Sequence, residues 1–131
     1  MRTITILCQS PSAAVIEARL SDLLSLAGSR ARSAEWRVSG VEAIGPQSDL
    51  LHGASDSGEV LDGVSLLAAA QEVDQVIDGR FVAYDPGQRH PWLVLRAVDS
   101  TSWDAASTDA AVLDRIRARY PRIVECGDID C

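Results

Sequence analysis

Few side chains in this sequence can act as nucleophile or base. The thiol of Cys8 and the hydroxyl of Ser100 are the candidate nucleophiles, and the imidazoles of His90 and His52 are the candidate bases. A histidine base works best when a carboxylate orients it, and Asp99 is the nearest choice. These residues allow one reading as a small hydrolase-like enzyme using Cys8, His90 and Asp99. Their surroundings give that reading little support. No G-x-S-x-G elbow encloses a serine, and no motif frames Cys8. His90 precedes Pro91 in a turn-forming stretch. The two His and three Cys show neither C-x-x-C nor H-x-x-x-H spacing, so no metal and no cofactor is expected. GASDSG (53–58) lacks the Lys and the strand-to-helix setting of a phosphate loop.

Charge is a stronger signal. The chain has 131 residues and a net charge of −7, and all twelve of its basic residues are Arg. The absence of Lys and Asn fits a GC-rich, bacterial source. Residues 41–131 hold sixteen acids against seven Arg, and the stretch from Val38 to Gly79 holds eight acids and no Arg or Lys. Such a surface repels a phosphate backbone, which excludes nucleic acid as a partner. It attracts a basic protein, although acids also keep a small domain soluble. The partner-contact candidates are Asp49, Asp56, Glu59 and Asp62 in that stretch, with Asp85, Asp99, Trp103 and Asp104 near the turns. Trp103 also reads as an anchor packed on the sheet.

The elements that must position these residues follow from periodicity. TITILC (3–8) reads as a strand. Ser10 and Pro11 then open a helix whose stripe is Ile16, Leu20, Leu23, Leu24 and Ala27, closed by Gly28. Residues 34–44 read as a strand bulged at Gly40. Residues 45–59 read as a long flexible loop. A helix is expected over 61–79, with Leu66, Ala70, Val73 and Ile77 on one face. Two strands flank the type II turn Asp85-Pro86-Gly87-Gln88, and the second, PWLVLRAV, reads as covered on both faces. Arg96 within it either pairs with Asp85, Asp99 or Asp104, or reaches water. After the turn DSTS (99–102) come a short strand at Trp103, a helix capped by Thr108, and a last strand RIVEC (122–126). One α+β domain over 1–131 is expected: a largely antiparallel sheet of about five to six strands, with three helices mainly on one face.

Three cysteines without a signal segment read as free thiols, with Cys8 and Cys126 as small core residues. Cys126 and Cys131 are spaced to permit a labile disulfide. No apolar run approaches the ~20 residues of a membrane span, so a cytoplasmic protein with no membrane partner is expected.

Residues 76–121 carry IDGRFVAY, then PWLVLRAVDSTSW, then DAAVLDRI and RYP. This pattern resembles small acidic bacterial domains of the immunity-protein type. The resemblance implies a non-catalytic protein that masks a basic toxin domain, and it carries over no catalytic residue. A homo-oligomeric structural subunit, dimerising through the exposed edge of the hairpin, is the remaining alternative.

Overall fold

Strand after strand in this chain buries every second side chain on the same side. In β1 (Arg2–Leu7) these are Ile4 and Ile6, in β5 (Leu93–Val98) Leu93, Leu95 and Ala97, and in β6 (Ser102–Ser107) Trp103, Ala105 and Ser107. That period of two defines a sheet with one packed face. A computed structural model describes residues 1–8 and 18–127. The helix signals at Ser10, Pro11 and Ile16 and the pairing of Cys126 with Cys131 lie outside the described residues.

The other elements are α1 (Leu20–Ala27), α2 (Ser29–Ser33), β2 (Glu35–Ile44), α3 (Ser48–Ser57), β3 (Leu61–Asp62), α4 (Gly63–Glu72), β4 (Gln75–Tyr84), α5 (Ala110–Arg119) and β7 (Ile123–Gly127). The strands form one sheet in the order β3-β2-β4-β5-β6-β1-β7, every neighbouring pair antiparallel. The class is α+β, as expected. Among the described residues the sheet has seven strands and five helices accompany it.

Helices α1, α2, α4 and α5 pack on one another and on the buried side of the sheet, around Trp36, Phe81, Leu66, Leu113 and Ile116. Trp36 is wholly buried, and its indole N–H donates to the carbonyl of Ala31 at 2.9 Å, which fixes α2 against β2.

Five expectations need correction. The helix read over 61–79 stops at Glu72, and the chain from Gln75 is strand. Val73 and Ile77 fit either period, but pairing along the length of β2 favours extended backbone here. The stretch 45–59 contains α3, which buries Leu51 and Ala54 and ends at Gly58 in the left-handed region, φ 72°. The cap of α5 is Asp109, not Thr108, because the Asp109 carboxylate accepts from the N–H of Ala111 at 3.1 Å. Finally, β5 is covered on one face only: Val94 and Val98 are half-buried and Arg96 is exposed. The hairpin of β4 and β5 offers no edge to a second chain either, since β2 and β6 flank it.

Candidate functional site

β2 is longer than its outer neighbour. β3 pairs only with Glu35 and Trp36, so the outer edge of β2 beyond them needs other partners. Helix α3 supplies them. The N–H of Val41 donates to Ser55 Oγ at 3.1 Å, and the N–H of Ala43 donates to His52 Nε2 at 3.0 Å. His52 is therefore an acceptor in the fold. These bonds follow the register shifts of β2 between Ser39 and Ala43, where the expected bulge lies.

So held, α3 presents its polar side outward. Asp49 and Asp56 are exposed on it, and Glu59 follows just after its end. Glu42 on β2 stands opposite Asp78 on β4, two carboxylates on facing positions. Glu72 ends α4 and Asp74 follows it; both are exposed. None of these seven carboxylates has an ion pair among the described residues. Glu42, Glu72, Asp74 and Asp78 were not among the contact candidates, although the stretch without Arg or Lys already contained them.

The other candidates have internal tasks. Asp62 caps α4: its carboxylate accepts from the N–H of Ser65 at 2.8 Å and from Ser65 Oγ at 2.7 Å, and these bonds hold its pKa below the ordinary value. Asp85 takes a two-point contact from Arg30, at 2.7 and 3.0 Å, and the guanidinium holds its carboxyl below the usual range. Asp104 accepts from Thr5 Oγ1 at 2.7 Å and lies 3.8 Å from Arg96 Nε. Asp99 is exposed in the β5–β6 turn, where its own N–H donates to Asp78 at 3.0 Å. Trp103 is 4% exposed; its indole N–H donates to the carbonyl of Ala18 at 2.9 Å, and its ring packs 6.1 Å from that of Phe81. It is an anchor of the core.

The groups of the enzyme reading are scattered: His52 is bonded to β2 from α3, and the others fall in two places. Cys8, Ser100, Trp103, Asp74 and Arg19 line a cavity of about 290 Å³. Burial pushes the Cys8 thiol above its ordinary pKa, which lowers its thiolate fraction. His90 lies before β5 and Asp99 and Ser100 lie after it. The strand between them spans roughly 20 Å at about 3.3 Å per residue, so His90 does not meet Asp99 or Ser100. Among the described residues no group of three or more His, Cys, Asp or Glu could hold a metal ion, and no helix is long and apolar enough to cross a membrane.

The arrangement is therefore an acidic edge built on α3 and β2, and among the described residues no nucleophile is brought together with a base. Neither a protein-family model, a curated protein nor a solved structure matches this chain.

Proposed function

We propose that this is a non-catalytic binding protein that meets a basic protein through the edge built by α3 and the adjoining ends of β2, α4 and β4. The reading is of the immunity type, in which an acidic protein covers the basic surface of a toxin domain, and it sets the protein in a bacterial cytoplasm. One observation carries it: Glu42, Asp49, Asp56, Glu59, Glu72, Asp74 and Asp78 have no ion pair among the described residues. Facing carboxylates such as Glu42 and Asp78 cost the free protein stability, and a cationic surface offsets that cost. Such a field also steers the encounter, so that association is fast and falls with salt.

The test is copurification from the native cell, followed by stopped-flow association of the captured protein with wild type and with the D49N/D56N/E59Q variant. The reading expects a basic partner, association at least ~10-fold slower for the variant at low salt, and a shallower salt dependence. An acidic partner, or equal rates for the two proteins, would refute it.

A further inference from the structure

The helix-free face of the sheet carries a different pattern. Adjacent strands place Arg80 opposite Arg96, Arg96 opposite Asp104, and Asp104 opposite Thr5, so these four residues form one row across β4, β5, β6 and β1. The row beside it runs Arg37, Val82, Val94, Ala106, Thr3. Val94, Val98 and Ala106 are half-buried, and among the described residues no helix lies over them. Two arginines directly opposite on neighbouring strands repel each other. The carboxylate next to them relieves this only in part: Arg96 Nε stands 3.8 Å from Asp104, beyond hydrogen-bond reach, and its side chain is 57% exposed.

The charge balance of this face selects its occupant. Its arginines, Arg37, Arg80 and Arg96, nearly match its carboxylates, of which Asp104 is central and Glu35, Glu42 and Asp78 are marginal. The whole chain carries −7. A strongly basic or strongly acidic partner gains little on a near-neutral surface, whereas two copies of an acidic protein approach with least repulsion there. A two-fold contact must also be complementary to itself, and the row of charges meets that condition in one orientation. An axis across the strands through this row sets Arg96 against Arg96. An axis along the strands, midway between β5 and β6, lays β5 of each copy over β6 of the other. Arg96 then faces Asp104 of the second copy, twice by symmetry, and Val94 faces Ala106. Aligned sheets pack about 10 Å apart, within reach of an arginine and an aspartate from opposite sides.

We propose that the helix-free face is the contact between two copies of this chain, related by a two-fold axis that runs along the strands between β5 and β6 and pairs Arg96 of each copy with Asp104 of the other. The α3 helices with Asp49, Asp56 and Glu59 remain on the outside, and the two surfaces meet only at the margin formed by Glu42 and Asp78.

Charge reversal tests this by sedimentation equilibrium up to millimolar protein. Wild type is expected to be a dimer. R96D and D104R each turn two attractive contacts into repulsive ones and weaken the dimer on the order of 100-fold. An equimolar mixture of R96D and D104R restores both contacts and forms a heterodimer, which also shows that each variant folds; circular dichroism checks each alone. The R96D/D104R double variant dimerises with itself. D49N/D56N/E59Q stays dimeric, which separates this contact from the acidic edge. A monomeric wild type, a dimer that survives both single reversals, or a mixture that stays monomeric while both variants are folded would overturn the proposal.

Discussion

The guanidinium of Arg30 stacks on the ring of Trp92, with Cζ 4.3 Å from the ring centroid. From there it donates to both carboxylate oxygens of Asp85 and lies 3.7 Å from Asp109, the cap of α5. One side chain thus ties α2 to the β4–β5 connection and to the start of α5. The Arg30 and Asp85 side chains are 40% and 41% exposed, so solvent screens the ion pair and the stack carries much of the effect. R30A should lower unfolding free energy by about 1–2 kcal/mol. R30K should recover less than half of that, because an ammonium cannot fork and stack together. Urea titration followed by tryptophan fluorescence measures both, and an R30K as stable as wild type would remove the stack from the account.

The same contact predicts an acid response. Arg30 holds Asp85 below the ordinary carboxylate range. A group whose folded pKa is depressed stabilises the fold above its unfolded pKa, and that contribution is lost as pH falls through the folded value. The stability difference between wild type and D85N should therefore be constant near neutrality and shrink below about pH 4. A difference that does not change down to the acid transition would contradict it.

Gly63 opens α4 against the backbone of α2. A Cβ there would overlap the carbonyl oxygen of Ala31 and stand 2.6 Å from that of Arg32. The N–H of Gly63 also donates to Ala34 at 3.1 Å, so the two segments cannot part without losing a bond. G63A should cost about 2–3 kcal/mol or more through forced separation of packed elements. The neighbouring V64A, at a 63% exposed position, should stay within about 0.5 kcal/mol of wild type. Equal stabilities for the two variants would show that α2 and α4 separate freely.

Local chemistry made the turns legible. Asp85-Pro86-Gly87-Gln88 has its glycine at φ 77° and the N–H of Gln88 on the carbonyl of Asp85, as Pro followed by Gly implies. The α4–β4 boundary was not legible, because Val73, Val76 and Ile77 suit both a helix face and a strand, and only the partner strand decides. Helix α3 was hidden by its polar composition: two core residues and the side-chain bonds from His52 and Ser55 to β2 hold it. For the site, the lack of Arg and Lys between Val38 and Gly79 was visible in the sequence. The internal partners of Asp85 and Asp104 were not, since Arg30 lies 55 residues from Asp85 and Thr5 lies 99 from Asp104.

The β5–β6 turn stores strain that one substitution should release. Asp99 and Ser100 both have positive φ, 49° and 60°, and the N–H of Thr101 closes the turn on Val98 at 2.9 Å. Positive φ at both central residues of a turn closed in this way is the type I′ pattern that favours Asn or Asp followed by Gly. Asp99 suits its place and Ser100 does not. S100G should raise stability by roughly 0.5 kcal/mol, the relief of the left-handed strain exceeding the added chain entropy. S100V should lower it, since a β-branched residue suits that region least. The reverse order in thermal unfolding would mean that the turn is not left-handed at Ser100.

Tyr120 gives the alkaline counterpart of the Asp85 prediction. It follows α5, is 2% exposed, and its hydroxyl has no hydrogen-bond partner among the described residues. Burial above all, then the charge of Asp22, pushes its pKa up to about 12, while Arg119, 5.1 Å from the ring centroid, pulls the other way. Here the folded pKa is raised, so the contribution to stability is complete below the unfolded value of about 10 and is lost as pH rises through the folded one. The chain has two tyrosines, and Y84F leaves Tyr120 as the single reporter. Titration of its phenolate absorbance should show no ionisation near pH 10 while the protein is folded, then a step near 12 that coincides with loss of tertiary circular dichroism. A normal, reversible step near 10 in the folded protein would mean that the hydroxyl reaches water, and the closed packing of α5 on α1 and β6 would then have to be redrawn.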